Sequence, residues 1–482
     1  MNILYVASEA YPFVSVGGLA EVAGSLPRAV SELGQDVRLM IPLYGSIFAD
    51  FRTQLRFLRN ITFSVSFTQY SCGLYTLCYD GLTVYFVENS DYFDRDCIYG
   101  DPDDSNRFAF FSKAVVSLLP VLEEVEHWQP DILHCNDWQT ALISIYLREA
   151  RMDDPDYPPI KVVYSIHNAE YPIVTDISRL GNDFGLSSVL FAEGIIEFDG
   201  HIDLMKGALL CSDAVTTFSP TYAKELLSSN SAFLLSPVIR AHQDKLHGIL
   251  NGIDPVRRDP SRCSHLVHTY SVDALEGRLD NKRYLQQKLG LTVSDDIPLL
   301  ACISRLLPRK GYGLLLQILP QLMELGVQVV ILGAGSKMLE RQLGAFSDQY
   351  PQQYRLLISE YDETLADQIY GACDLFLAPS QSEPCGLPAM SAMHYGAVPV
   401  VRATGGLKDT VVPYNAEDGT GYGFTFQAYQ ADQFLAAIQA ALAVYRQKDI
   451  WTALIRRCMQ HDFTWKKSAQ AYLDLYQSLI RK

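Results

Sequence analysis

Hydrophobic residues follow two alternating patterns along the chain. Short continuous apolar runs recur at 2–6, 37–41, 83–87, 132–134, 160–166 and 215–218. They recur again at 248–250, 299–303, 327–332, 356–358, 375–378 and 398–401. Runs without polar alternation read as parallel strands covered on both faces. Between them apolar residues return at steps of three and four, as in Leu19, Val22, Ala23, Leu26, Ala29, Val30 and Leu33. That spacing predicts a one-sided helix, stopped by Gly34 in the left-handed position after its end. The strand at 2–6, the Gly17-Gly18 turn, this helix and the strand at 37–41 make a βαβ unit. The second set of strands is expected to begin near residue 247. The polar stretch from Asp254 to Ser264 reads as a connection just inside a second domain. The expected architecture is α/β, with two doubly wound, Rossmann-like domains at 1–243 and 244–460. A helical segment over 461–482 is expected to return to the first domain. Ligands of such folds bind beyond the carboxyl ends of the strands, and two facing domains make the cleft between them the default site.

Composition narrows the class. The 482 residues include 39 Lys+Arg and 55 Asp+Glu, a formal net charge of −16, with 48% hydrophobic and 20% charged residues. This is globular, not disordered. The acidic balance argues against nucleic acid as the main partner, because a phosphate polymer is bound by positive surface. It leaves room for a local basic pocket. No apolar run approaches about 18 residues, so no membrane span is expected. The start lacks a basic region and reaches Glu9 almost at once, unlike a secretory signal. Ten cysteines are scattered from Cys72 to Cys458 with no C-x-x-C pair. They read as buried free thiols in a reducing compartment, and a zinc site is not expected. A cytoplasmic enzyme is the expected class.

Five motifs follow strand ends. Gly17-Gly18 lets backbone N–H groups approach a phosphate at a helix N-terminus, or is a tight turn only. In Ser304-Arg305-Leu306-Leu307-Pro308-Arg309-Lys310-Gly311, Arg305 and Lys310 could neutralise a diphosphate, or form a basic surface loop. In Ser382-Glu383-Pro384-Cys385-Gly386-Leu387, Glu383 could bind a polar ligand, or cap the helix that follows. Gly405-Gly406 repeats the strand–glycine–helix design, and Gly333-Ala334-Gly335 is a third glycine turn. Finally, His134-Cys135-Asn136-Asp137-Trp138 and Ser165-Ile166-His167-Asn168 follow two strands of the first half. Asp137, His167 and Asn168 could meet sugar hydroxyls, or His167 could act on a leaving group; a structural histidine is the plainer alternative. Asp101-x-Asp103 could hold a metal, or be part of an acidic loop.

Taken together these segments resemble the bacterial glycogen synthase and plant starch synthase family, the retaining glucosyltransferases of family GT5. The resemblance runs from Ile3-Leu4-Tyr5-Val6-Ala7-Ser8-Glu9 to about Trp465. Its densest stretches include Val16-Gly17-Gly18-Leu19-Ala20-Glu21-Val22, Ile166-His167-Asn168, Gly248-Ile249-Leu250-Asn251-Gly252-Ile253-Asp254, Glu383-Pro384-Cys385-Gly386-Leu387 and Ala403-Thr404-Gly405-Gly406-Leu407. It implies the two-domain GT-B fold, with glucose moved from ADP-glucose to the non-reducing end of an α-1,4-glucan. It implies retained anomeric configuration and neither metal nor cofactor. Arg305 and Lys310 match the pair on the donor diphosphate, and Glu383 matches the acidic residue at the transferred glucose. Cys385, Gly386 and Leu387 offer backbone donors near it. His167 matches the histidine beside the sugar, Asp137 and Asn251 match residues on the glucose or acceptor side, and Tyr361 matches the position that stacks on adenine.

Four positions depart from the family pattern. Ser15 stands where the family has lysine, and one lost charge-assisted contact costs roughly 1.5–3 kcal/mol, about 10- to 150-fold in donor affinity or rate. Tyr171-Pro172-Ile173 replaces Tyr-Gln-Gly, Pro388 replaces a threonine, and Asp254-Pro255-Val256-Arg257-Arg258 replaces a Trp-Asn-Pro element. The leading expectation is an active ADP-glucose-dependent glucan synthase. The alternatives are a weakly active or inactive glucan-binding paralogue, and a related glucosyltransferase with another donor or acceptor.

Overall fold

The computed structural model describes all residues except 155, 170–173, 229–233, 360–361 and 482. Tyr361 and the Tyr171-Pro172-Ile173 element therefore lie outside the described residues. The chain divides into two compact units. The first comprises Met1–Phe218, Ala223–Ile249 and the chain from Trp465 onward; the second comprises Ser219–Tyr222 and Leu250–Thr464. Beside these divisions, the expected breaks after 243 and 460 lie a few residues earlier.

The first unit is built on a nine-stranded sheet. Its strands lie side by side in the order Leu246–Gly248, Ala214–Thr217, Lys161–Ser165, Ile132–Asn136, Asn2–Val6, Asp36–Pro42, Leu82–Glu88, Thr68–Tyr79 and Arg56–Val65. The first seven pair in parallel. Asn2–Val6 is central, with Val6 opposite both Met40 and Cys135, and Ile3 to Val6 are buried to 1% exposure or less. This is why the strand reads as an unbroken apolar run.

Two features of this sheet differ from the sequence expectation. The strand expected at 248–250 in the second domain is Leu246–Gly248, and it pairs with Ala214–Thr217 as an edge of the first unit's sheet. Local pattern cannot tell which sheet a short strand joins. The antiparallel pair Arg56–Val65 and Thr68–Tyr79 is absent from the expected strands. Arg56–Val65 is mostly exposed, so it carries polar residues and no apolar run. Its hairpin turns through Ser66 in a left-handed conformation at φ 55°.

The C-terminal helix, Lys466–Ile480, packs in the first unit through Tyr472 and Tyr476, exposed by 0% and 1%. The Tyr476 hydroxyl lies 2.6 Å from His134 Nδ1, and Ser165 Oγ lies 2.6 Å from His134 Nε2. Burial pushes the His134 pKa down to about 3. This histidine is a neutral, doubly hydrogen-bonded part of the core.

The second unit has a six-stranded, all-parallel sheet in the order Tyr354–Leu357, Gln328–Leu332, Leu299–Ile303, Leu375–Ala378, Val398–Arg402 and Phe424–Phe426. Counted along the chain this is 3-2-1-4-5-6, the doubly wound order, which reverses between Leu299–Ile303 and Leu375–Ala378. Four of its strands coincide with expected apolar runs, Tyr354–Leu357 begins two residues before the run expected at 356–358, and Phe424–Phe426, with only three residues, matches none.

Replacing Tyr476 with Phe orphans a ring nitrogen in the core, and urea denaturation is expected to show about 1–3 kcal/mol lost at neutral pH. A second outcome concerns acid. The unfolded chain protonates His134 near pH 6.5, whereas the folded chain does so only near 3. Stability is therefore fully present above about pH 6.5. Below it, this group removes about 1.4 kcal/mol per pH unit until its folded pKa is reached, a slope that His134→Gln should reduce.

Candidate active site

Doubly wound sheets bind ligands where the strand order reverses, because the loops there diverge and leave a crevice. In the second unit that point lies beyond Leu299–Ile303 and Leu375–Ala378. A pocket is found there, lined among others by Ser304, Lys310, Tyr312, Ser380, Glu383 and Pro388. At its centre Lys310 Nζ lies 2.5 Å from Glu383 Oε2, and Ser380 Oγ donates to the same oxygen at 3.1 Å. Burial raises the Glu383 pKa, but Lys310, Arg309 and the Ser380 hydroxyl outweigh it, and the net shift is downward. Glu383 is thus a buried carboxylate that stays ionised at neutral pH.

Backbone packing forces these two loops together. Gly311 has φ +84°, and a Cβ there would lie 2.0 Å from the Pro379 carbonyl oxygen. The Gln381 N–H donates to the Arg309 carbonyl at 2.7 Å. On the other side, a Cβ at Gly405 would lie 2.0 Å from the Glu383 carbonyl oxygen, and one at Gly406 would lie 2.0 Å from that of Cys385. Gly333 meets the Ser304 carbonyl equally closely. These glycines serve loop-on-loop contact. The space their side chains would take is filled by protein backbone.

Cys385 is buried, and burial followed by Glu383 pushes its thiol up to about 12, leaving it neutral. Gly386, at φ +85°, precedes the helix Leu387–His394, with Pro388 in its first turn. Asn251 is 4% exposed, and its Oδ1 has no hydrogen-bond partner among the described residues. An orphaned buried acceptor suits a ligand hydroxyl. Arg305 stands exposed on the loop after Leu299–Ile303.

In the first unit the order reverses between Asn2–Val6 and Ile132–Asn136. Two acidic residues follow these strands. Glu9, 3% exposed, accepts from the Val16 N–H at 2.5 Å and the Gly17 N–H at 3.3 Å through Oε2. These two N–H groups are held by a protein carboxylate. Gly17 itself has φ −162°, and a Cβ added to it would meet nothing within 4 Å. Unlike Gly405 and Gly406, it faces open space. Ser15 Oγ, beside it, is buried with no partner among the described residues. Asp137 is held at φ 59° and ψ −172°, a conformation that costs a non-glycine residue of order 1–3 kcal/mol and tends to mark functional sites.

His167 Nε2 lies 3.0 Å from Asn136 Oδ1, which also accepts from the Tyr5 hydroxyl at 2.8 Å. The Asn136 amide nitrogen donates to the Val6 carbonyl at 3.0 Å. Asn136 Oδ1 is therefore an acceptor, so His167 Nε2 carries the proton and Nδ1 the lone pair. Burial, then His134, holds the His167 pKa well below 6.5. His167 is neutral, with Nδ1 as its acceptor. Asn168 is buried beside it.

The comparisons with known proteins bear on this arrangement. The family model described as the starch synthase catalytic domain matches residues 2–248, and that of glycosyl transferases group 1 matches 287–452. A glycogen synthase of Clostridium beijerinckii is 42% identical over 480 residues, covering 99% of each chain. One from Anoxybacillus flavithermus is 40% identical over 480 residues, covering 100% of this chain and 98% of its own. The catalytic domain of starch synthase IV from Arabidopsis thaliana, solved bound to ADP and acarbose, superposes with a TM-score of 0.91 at 32% identity, covering 100% of this chain and 99% of that one. The chain belongs to the glycogen and starch synthase family. It is a glucosyltransferase with the GT-B fold.

In this synthase the structure brings together Lys310 and Glu383, with the Cys385-Gly386-Leu387 turn directly following, all in the second unit. Arg305 shares their loop system. In the first unit Ser15, Gly17 and Gly18 stand at the start of the helix Gly18–Ser31, and Asp137, His167 and Asn168 follow the ends of Ile132–Asn136 and Lys161–Ser165. Tyr361 lies outside the described residues. Sequence reasoning missed Glu9 and Ser380. Glu9 had a signal, an acidic residue directly after a buried strand; Ser380 had none. At Asp101-x-Asp103, Arg95 lies 3.2 Å from Asp101 and 2.6 Å from Asp103, and the fully buried Arg107 lies 3.1 Å from Asp101. These carboxylates close an ion-paired loop.

The glycine contrast has a direct readout. Gly405→Ala must displace the Glu383 carbonyl and should lower transfer activity at least tenfold with a destabilisation of about 1–3 kcal/mol. Gly17→Ala meets no protein atom, so its melting should stay within about 0.5 kcal/mol of wild type.

Proposed function

We propose that the chain transfers glucose from ADP-glucose to the non-reducing end of an α-1,4-glucan, with retention of configuration. The observation that carries this reading is the buried Lys310–Glu383 pair at the strand-order reversal of the second unit. The structural relative solved with ADP and acarbose supports the substrate pair. Nucleotide departure builds negative charge on the diphosphate. Lys310, which has three N–H donors, can keep Glu383 and reach a phosphate oxygen, and exposed Arg305 adds a second cation. Glu383 places fixed negative charge where the glucosyl carbon becomes positive. His167 Nδ1 and Asn251 Oδ1 offer acceptors to sugar hydroxyls. Charge neutralisation by these side chains would require neither metal nor cofactor.

No described helix is long and apolar enough to cross a membrane. All ten cysteines are free, which supports a cytoplasmic location.

A second reading, a weakly active glucan-binding paralogue, is favoured by Ser15, whose unpartnered hydroxyl stands where the family has lysine. Incorporation of labelled glucose into glycogen from ADP-glucose, and separately from UDP-glucose, distinguishes the readings. ADP-glucose-dependent incorporation lost at least 100-fold in Arg305→Ala is expected. No incorporation from either donor by folded protein would overturn the proposal. Ser15→Lys is expected to raise kcat/KM for the donor by about 10- to 150-fold, the worth of one charge-assisted contact.

A further inference from the structure

Apart from the donor-side loops, the second unit gathers three side chains of metal-ligating type. Cys263 and His265 lie in the turn-rich segment after Asp254, and Asp367 lies in the helix Glu363–Ala372. His265 Nδ1 is 2.9 Å from Asp367 Oδ2, and Cys263 Sγ is 3.6 Å from the same oxygen. The three ligand atoms all lie within 4.8 Å of one another. A tetrahedral zinc ion with ordinary bond lengths spaces nitrogen and oxygen ligands roughly 3.3 Å apart, and sulfur and oxygen ligands roughly 3.5 Å apart. The nitrogen–oxygen and sulfur–oxygen spacings need only a few tenths of an ångström of adjustment.

The surroundings are those of a built site. Arg258 donates to the other carboxylate oxygen, Oδ1, at 2.8 Å, and both partners are nearly inaccessible. That contact orients Asp367 and leaves Oδ2 toward the thiol and imidazole, the kind of outer-shell support that metal carboxylates carry. Gln368 Nε2 donates to the His265 carbonyl at 3.1 Å and ties that residue's backbone to the same helix. The fully buried Tyr395 hydroxyl is a hydrogen-bond neighbour of the Cys263 thiol. Burial first, then Asp367 and Cys263, push its pKa up, which places it beside these two groups. The His265 side chain is 36% exposed, giving a way in and a fourth position for water.

We infer that Cys263, His265 and Asp367 form a site for a thiophilic divalent cation of the zinc class, outside the transfer pocket. Sulfur with imidazole and one carboxylate selects zinc or cobalt over magnesium and calcium. On binding, the Cys263 thiol releases one proton to solvent and bonds the metal as thiolate. His265 moves its proton from Nδ1 to Nε2, and Asp367 bonds through Oδ2 while keeping Arg258 on Oδ1. The ion ties the segment carrying Cys263 and His265 to the helix that begins just after Tyr361.

The test is Co²⁺ titration of the metal-free full chain under reducing conditions, in a Cys78→Ser, Cys97→Ser background that removes the two exposed thiols. One equivalent is expected to give a thiolate-to-cobalt charge-transfer band and the visible bands of tetrahedral cobalt, both lost in Cys263→Ser and in His265→Gln. Saturating Zn²⁺ should raise the melting temperature by several degrees in the background protein and not in either variant. No charge-transfer band, or a band surviving either substitution, overturns the site. Should Cys263→Ser fail to fold, His265→Gln, at a partly exposed position, decides alone. Neither residue belongs to the transfer pocket, so this result is independent of glucosyl transfer.

Discussion

A buried carboxylate beside an ammonium group governs the second unit. Glu383 remains ionised in a desolvated place because Lys310 and the Ser380 hydroxyl hold one of its oxygens and Arg309 adds positive charge nearby. Lys310 can reach it only because the chain turns at Gly311 with no Cβ to strike Pro379. The loop bearing Glu383 keeps its place because Gly405 and Gly406 let the next strand's turn lie directly on its carbonyls. These glycines let three loops touch backbone to backbone.

The first unit meets the same problem of buried polar groups with neutral ones. His134 and His167 are both held uncharged by burial, and each hydrogen bond they make fixes a tautomer or a ring orientation. His134 joins the central strands to the C-terminal helix through Tyr476. His167 is fixed by Asn136, itself oriented by Tyr5 and Val6. A chain of core contacts thus decides that His167 presents a lone pair. Glu9 is a carboxylate with a defined task in this region, gathering the N–H groups of the Val16-Gly17 turn. Gly17 is left facing open space, where a ligand can approach.

The family's chemistry and this arrangement agree in kind. A glucosyltransferase acting on a nucleotide sugar needs cations at the leaving diphosphate and a fixed negative charge near the sugar. The second unit offers both within one loop system. The departure at Ser15 lies in the first unit, where the cation is missing and a buried hydroxyl remains without a partner among the described residues.

Much of this is legible along the chain. Leu299–Ile303 and Leu375–Ala378 coincide with the expected runs, and Arg305, Lys310, His167 and Glu383 stand out within contiguous motifs. Strand interiors and strand-end motifs are local, so pattern and residue type reveal them. What the sequence could not show depends on contacts between residues far apart in it. Lys310 and Glu383 are 73 positions apart, and Asp367 lies 102 positions from His265. The exposed hairpin partner Arg56–Val65 carries no apolar run, and Leu246–Gly248 joins a sheet that its own residues do not name. The sequence by itself determined the parallel α/β layers and the chemical types at the strand ends. Only the tertiary structure decided which carbonyl each glycine meets, which nitrogen of His167 holds the proton and which acid Lys310 holds, because each is set by through-space packing.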